Sequence, residues 1–206
     1  LVTCGTCRYC SEGRENLCPS RQIISMQPRE GAFAQQLVMP TGNLVEVQEG
    51  VAVEHAALAE PLAVCWHGVR LGREALFGGL SSARCLVQGG GAIGVGSALS
   101  LRAMGAKDVT IVEPNELRHG VLRGLGDLGV CDPGAVDGAF DLIVDCVGIA
   151  HTRRAASALA APGGVIVHVG LGDSEPGLDT RRLTLQEITF IGTYTYTAQD
   201  FRDTAQ

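Results

Sequence analysis

The chain has 206 residues, enough for one large domain or two small ones with a sizeable core. Apolar residues make up 46% and aromatic residues 4%; Lys107 is the only lysine, and a net charge of −6 with no basic block argues against nucleic-acid binding as the main role. No apolar run reaches the ~20 residues a membrane-spanning helix needs, since the longest, around 55–69, is interrupted by Glu60 and Pro61.

The first residues show no charged region followed by an apolar one, which reads as no signal peptide and a reducing cytoplasm. The chain begins at Leu1, not at a methionine. Its first eighteen residues place four cysteines in the pattern C-x2-C-x2-C-x7-C: Cys4, Cys7, Cys10 and Cys18. Two-residue gaps put neighbouring sulfurs on one side of a turn, where they can converge on a tetrahedral zinc at about 2.3 Å. With every ligand position filled by protein, such a zinc is structural. Two disulfides would need an oxidising compartment, and an iron–sulfur run would place the last cysteine three residues on, not seven; zinc leads, with the cluster second. Cys65, Cys85, Cys131 and Cys146 lie among apolar residues and read as small buried side chains.

After a polar stretch through Pro28 and Gly31, extended pieces are expected at Ala32–Met39 and Leu44–Val47, joined by the turn Pro40-Thr41-Gly42-Asn43. Apolar spacing from Val53 to about Val69 predicts a helix that Pro61 bends or divides. From Arg84 the pattern alternates. Strands are predicted at Cys85–Gln88, Val109–Val112, near Val130, at Leu142–Val144, Val165–Val169 and Ile188–Ile191, and helices at Ile93–Met104, Asn115–Leu125 and His151–Leu159. Strands without polar alternation, separated by helices, mean a parallel sheet covered on both faces: a doubly wound α/β domain of six strands. Thr197 is expected to cap a last helix, with Asp200 as the capping-box acid.

Between the first strand and its helix lies Gly89-Gly90-Gly91-Ala92-Ile93-Gly94, a G-x-G-x-x-G. The motif alone is weak in a glycine-rich chain; in a strand–turn–helix it predicts a dinucleotide site. Gly89 suits the tight turn, Gly91 the close approach of the pyrophosphate, and Gly94 the packing of helix on strand, with the phosphates at the positive end of the helix dipole. Glu113 ends the second strand, where a carboxylate binds the adenosine ribose hydroxyls and repels a 2′-phosphate, so NAD is expected over NADP. As an isolated residue, Glu113 would read as a solvated strand-end acid.

The cysteine lobe, Glu60-Pro61-Leu62-Ala63, the glycine motif, Val112-Glu113-Pro114, Asp145-Cys146-Val147-Gly148 and Pro162-Gly163-Gly164 together resemble the zinc-containing medium-chain dehydrogenases. The likeness is to the sorbitol and butanediol dehydrogenase branch, through Gly192-Thr193-Tyr194 and Asp200-Phe201. The resemblance implies a partial GroES-like catalytic domain over 1–62, carrying the zinc lobe within a small β-rich fold, and a truncated NAD-binding Rossmann domain over 63–206. It implies zinc-dependent oxidation of a secondary alcohol or polyol with hydride transfer to NAD, and assembly as a dimer or tetramer.

By the same resemblance, Glu60 lies at the catalytic zinc, as a ligand or holding its water; on its own it reads as a helix N-terminal acid favoured by the dipole. Ile93, Glu113 and Arg118 match nucleotide contacts. Val147, Gly148, Val169, Gly170 and Leu171 match the strand ends that line the nicotinamide, and Thr193, Tyr194 and Thr195 the segment that closes over its ribose. The family's catalytic cysteine and His-Glu pair precede the lobe, so the sequence is expected to be a fragment without a complete catalytic site. His55, His67, His119, His151 and His168 are not expected to replace those ligands. A stand-alone nucleotide-binding module and a zinc-stabilised interaction domain are the alternatives.

Overall fold

The computed structural model describes residues 1–205, which form two compact units, one of Leu1–Ala63 with the segment from Tyr194, the other Val64–Thr193. The first unit opens with the cysteine loop, which winds around a single turn of helix, α1 (Arg8–Ser11), and a 3-10 turn at Glu15–Leu17. Its ends are brought together by an isolated antiparallel bridge, Val2 to Gln22.

The expected extended pieces at Ala32–Met39 and Leu44–Val47 form no strand. The turn between them is present as a 3-10 turn at Thr41–Asn43, yet neither flank pairs with any described residue. A ladder needs a neighbouring backbone and a sheet face needs something to bury against. Phe33, Val38 and Leu44 instead stand exposed. The β-rich character expected of this unit is thus reduced, among the described residues, to the Val2–Gln22 bridge.

The expected helix is divided, into α2 (Val53–Ala56) and α3 (Ala59–Ala75). α3 runs on through Pro61, which occupies the first turn, where a missing N–H breaks no helical hydrogen bond.

In the second unit, β1 (Arg84–Gln88), α4 (Ala92–Ala103), β2 (Asp108–Val112), α5 (Glu116–Arg123), β3 (Gly129–Cys131), β4 (Phe140–Asp145), α6 (Ala150–Leu159), β5 (Ala160–His168), α7 (Thr180–Leu185) and β6 (Thr189–Gly192) follow in order. The sheet order is β3-β2-β1-β4-β5-β6, and every pair is parallel. That is the Rossmann order, whose direction reverses between β1 and β4 and opens a crevice at their carboxyl ends.

The sheet is apolar on both faces because each face carries its own core. Cys85, Val87, Leu142, Val144, Val165 and Val167 pack with Val69, Ala98 and Leu101 from α3 and α4. Their neighbours Leu86, Ile143 and Ile166 point the other way, into a core with Ala156 of α6, Phe140 and Ile188. The period-2 alternation of a strand is there, with an apolar residue at every step.

The short helix α7 was not anticipated. Asp179 starts it, its side chain accepting from the backbone N–H of Arg182 at 2.9 Å. A last helix, α8 (Ala198–Ala205), belongs to the first unit. The reciprocal cap expected there is present: the Thr197 backbone N–H donates to the Asp200 carboxylate at 3.0 Å, and the Asp200 N–H to the Thr197 hydroxyl at 3.2 Å. Among the described residues no helix is long and apolar enough to cross a membrane.

Candidate functional site

Cys4, Cys7, Cys10 and Cys18 converge, all four sulfurs lying within 4.8 Å of one another. The separations Cys4–Cys10, Cys7–Cys10 and Cys18–Cys4 are 3.9, 3.5 and 3.6 Å. Thiolates at about 2.3 Å from one tetrahedral ion stand roughly 3.8 Å apart, whereas a disulfide requires about 2.05 Å, and all eight cysteines are free thiols. The donor set fits a single zinc. The loop also prepares a thiolate: the backbone N–H groups of Thr6 and Cys7 and the Thr6 hydroxyl at Cys4 hold its thiol down at about 6. The Cys10 backbone N–H pulls the Cys7 thiol the same way but is outweighed by desolvation and the three neighbouring thiols, which push it up to about 11. A cation among all four would replace that competition with four thiolates.

This is the only group of three or more His, Cys, Asp or Glu side chains placed to hold a metal among the described residues. Glu60 stands exposed in the first turn of α3, hydrogen-bonded to the side chain of Tyr196. Tyr196 in turn stacks on Phe201 at 5.6 Å. Burial, then the Glu60 charge, push the Tyr196 hydroxyl above its usual range. Glu60 belongs to no group of three or more such side chains among the described residues, so these do not by themselves make a catalytic metal centre.

In the second unit, the glycine turn leaves β1 at the switch between β1 and β4. Gly89 has φ +95°, open to glycine and strained for other residues. A Cβ on Gly94 would lie 1.7 Å from the Gly89 carbonyl oxygen, so α4 can start here only with glycine at that position. A Cβ on Gly91, by contrast, would meet nothing within 4 Å. Gly91 is the N-cap of α4 and no side chain caps it. The turn therefore presents open space at the positive end of a twelve-residue helix, the arrangement a pyrophosphate fills. Ala92 and Ile93 form the first turn of that helix.

Glu113 is fastened to the same turn. Its Oε2 accepts the Gly90 N–H at 2.8 Å and its Oε1 the Asn115 N–H at 2.8 Å, with Arg118 Nη1 at 3.3 Å from Oε2. Buried His119 lies 2.6 Å from the Glu113 carbonyl oxygen and pins the backbone. Desolvation works against the ionised carboxylate, but the two backbone donors and Arg118 outweigh it and hold Glu113 below the usual carboxylate range. Lone pairs remain for further donors.

At the ends of β4 and β5, Val147–Gly148 and Val169–Leu171 run against each other. Gly148 has φ +72°, and a Cβ there would sit 2.1 Å from the Gly170 carbonyl oxygen. Asp145, fully buried, shapes this turn: Oδ1 accepts the Val147 and Gly148 N–H groups at 3.1 and 2.9 Å, and Oδ2 meets the Thr152 hydroxyl and His168 Nδ1, each at 3.1 Å. Sequence reasoning gave Asp145 no role, although an Asp ending an apolar strand two to three residues before a glycine is an Asx-turn signal. Leu171 is exposed. Thr193 follows β6, its N–H and hydroxyl both donating to the His168 carbonyl, at 3.1 and 3.3 Å. Tyr194 and Thr195 belong to the first unit; Thr195 has φ +49°, and its hydroxyl is buried without a partner among the described residues.

The fold agrees with what comparison finds. The model of zinc-binding dehydrogenases matches residues 92–206, and that of the alcohol dehydrogenase GroES-like domain residues 1–49. The chain belongs to the zinc-binding dehydrogenase family, the zinc-type medium-chain dehydrogenases. It is 30% identical to the sorbitol dehydrogenase of Arabidopsis thaliana over 95% of this chain and 56% of that one. To the (R,R)-butanediol dehydrogenase of Saccharomyces cerevisiae it is 29% identical, over 96% of this chain and 54% of the relative. A zinc-binding dehydrogenase structure from Sinorhizobium meliloti, solved bound to NADP, superposes with a TM-score of 0.87 at 26% identity over 99% of this chain and 62% of that one. The chain thus spans little more than half the length of the curated relatives it matches.

Proposed function

We propose that the chain supplies the dinucleotide-binding domain and the structural zinc lobe of a dehydrogenase that oxidises a secondary alcohol or polyol with NAD. The observation that carries this reading is the fastening of Glu113 to the Gly89–Gly94 turn through the Gly90 N–H, which sets a carboxylate beside an open, uncapped helix N-terminus. Bound NAD would supply the acceptor for a hydride from the carbinol carbon.

In this reading the residues divide the work. Gly91, Ala92 and Ile93 bind the pyrophosphate through the start of α4, whose dipole favours the negative charge. Glu113 accepts from the ribose hydroxyls, and its ionised state opposes a 2′-phosphate, which supports NAD over NADP. Val147, Gly148, Val169, Gly170 and Leu171 form the wall for the nicotinamide, kept narrow by the Gly148–Gly170 contact; Thr193, Tyr194 and Thr195 contact its ribose. Cys4, Cys7, Cys10 and Cys18 hold one zinc that fixes the lobe and takes no part in the reaction. Glu60 serves the catalytic metal site of the whole enzyme, which works as a homodimer or homotetramer in a reducing cytoplasm, the compartment that suits eight free thiols.

The test has two levels. Titrating the 206-residue chain with NADH, followed by fluorescence, is expected to show saturable binding, with NADPH weaker. Assaying the full-length protein with NAD and a panel of sugar alcohols, diols and other secondary alcohols is expected to show NAD reduction with at least one. Failure of all of them would overturn the dehydrogenase reading.

A further inference from the structure

Arg153 is a charged residue buried to 7% exposure on α6, one turn from the strand ends that line the proposed nicotinamide wall. Burying a guanidinium is unfavourable unless its donors are satisfied, and every contact it makes lies on one loop and one turn. Nη1 donates to the Gly148 carbonyl at 2.8 Å and reaches the Asp173 carbonyl at 3.4 Å. Nη2 meets the Asp173 carboxylate and the Glu175 carbonyl.

Asp173 closes the clasp from the other side. Its carboxylate accepts the Ala150 N–H, the first of α6, with oxygens at 3.2 and 3.1 Å, and the Glu175 N–H at 3.1 Å. Its own N–H donates to the Gly148 carbonyl at 3.0 Å, and Gly172 N–H to the Val147 carbonyl at 3.1 Å. The loop after β5 is thereby laced to the turn after β4, at the place where Gly148 and Gly170 touch backbone to backbone. Glu113, which holds the adenosine end in the proposed reading, and its partner Arg118 belong to a different strand end and helix.

We infer that Arg153, clasped to Asp173, is a positioning residue for the nicotinamide half of the dinucleotide site: it fixes the separation of the Val147–Gly148 and Val169–Leu171 backbones without touching the cofactor. This rests on the NAD reading above. Lysine cannot reproduce the planar fork that serves two chain segments at once, so it replaces Arg153 only in part.

The experiment compares NADH with ADP-ribose, which keeps the adenosine and both phosphates but lacks nicotinamide, on the 206-residue chain, with folding checked by circular dichroism. Arg153→Met is expected to weaken NADH binding by about tenfold and ADP-ribose by no more than about twofold. Arg153→Lys should fall between wild type and Met. Asp173→Asn, at a side chain one-third exposed, tests the other half of the clasp with less risk to folding and should show the same split. Equal losses for both ligands, or unchanged NADH affinity in the Asp173 variant, would overturn the assignment. A wild-type chain that binds neither ligand overturns the NAD reading itself, and the assignment with it.

Discussion

Asn16 and Tyr194 lie 178 positions apart in the chain, and the side-chain amide of Asn16 donates to the Tyr194 carbonyl at 2.9 Å. Asn16 is 2% exposed and sits in the 3-10 turn just before the fourth cysteine. Its neighbours repeat the attachment: Glu15 Oε1 accepts the Ala198 N–H, and the Arg21 guanidinium lies 4.8 Å from the centre of the Tyr194 ring while donating to the Cys18 carbonyl. The cysteine lobe is thus bolted to the 194–198 segment, which carries Tyr194 and Thr195 and leads to Tyr196 beside Glu60. Whatever holds the cysteine loop in place therefore also holds the 194–198 backbone of the same unit.

Asn16→Ala should therefore loosen a segment far away in sequence. The Tyr194 carbonyl loses a buried donor, a change worth about 1–3 kcal/mol when nothing replaces it. Urea denaturation should show the loss. Hydrogen exchange should rise at 194–198, and removing zinc with a chelator should raise it there and in residues 4–18 together. Protection at 194–198 that survives chelation would separate the lobe from the segment.

Gly91→Ala and Gly94→Ala should fail in opposite ways. At Gly94 a methyl group meets the Gly89 carbonyl oxygen at 1.7 Å, so α4 must move off β1. The thermal midpoint should drop by several degrees, as overpacking a core typically costs about 1–3 kcal/mol. At Gly91 the same methyl meets no protein atom within 4 Å, so the midpoint should hold while NADH affinity falls. A Gly91→Ala chain that binds NADH normally would contradict the placement of the pyrophosphate.

Much of this was legible because it is local. The glycine turn, the acid ending β2, the cysteine spacing and the Thr197–Asp200 cap each declare themselves within a few residues, and the unalternating apolar strands announce a sheet covered on both faces. What was hidden depends on partners elsewhere in the chain. Residues 32–47 have strand-like composition, but a strand is a property of a pair. Nothing near Arg153-Arg154 tells which arginine turns inward, since the partner, Asp173, comes only after another strand. Asn16 is one more polar residue in a polar loop until Tyr194 arrives to receive it.

Replacing Glu113 should change the choice of cofactor. Glu113→Ser removes the charge that opposes a 2′-phosphate and leaves Arg118, half-exposed and 3.3 Å from the lost Oε2 position, free to meet it. The NADPH-to-NADH affinity ratio, from parallel fluorescence titrations, should rise by about tenfold or more, tenfold being about 1.4 kcal/mol, slightly above a unit-charge interaction at about 4 Å in water. An unchanged ratio would mean that the ribose is read elsewhere.

The same carboxylate sets a pH dependence whose sign is fixed. Held below the usual range in the folded chain, Glu113 releases its proton more readily folded than unfolded, so its contribution to stability is fully present above about pH 4.3. It is lost as the pH falls through the folded value. Asp173 behaves likewise: desolvation opposes its ionised form, but the Arg153 side chain and the Ala150 and Glu175 N–H groups outweigh that and hold it low. Urea midpoints taken from pH 6 down to pH 3 should be level at first and then decline. Glu113→Gln and Asp173→Asn should each start lower and decline less, because the proton that the wild-type chain must take up has no site left to bind. Curves that run parallel to wild type through the acid limb would show that neither carboxylate carries the linkage.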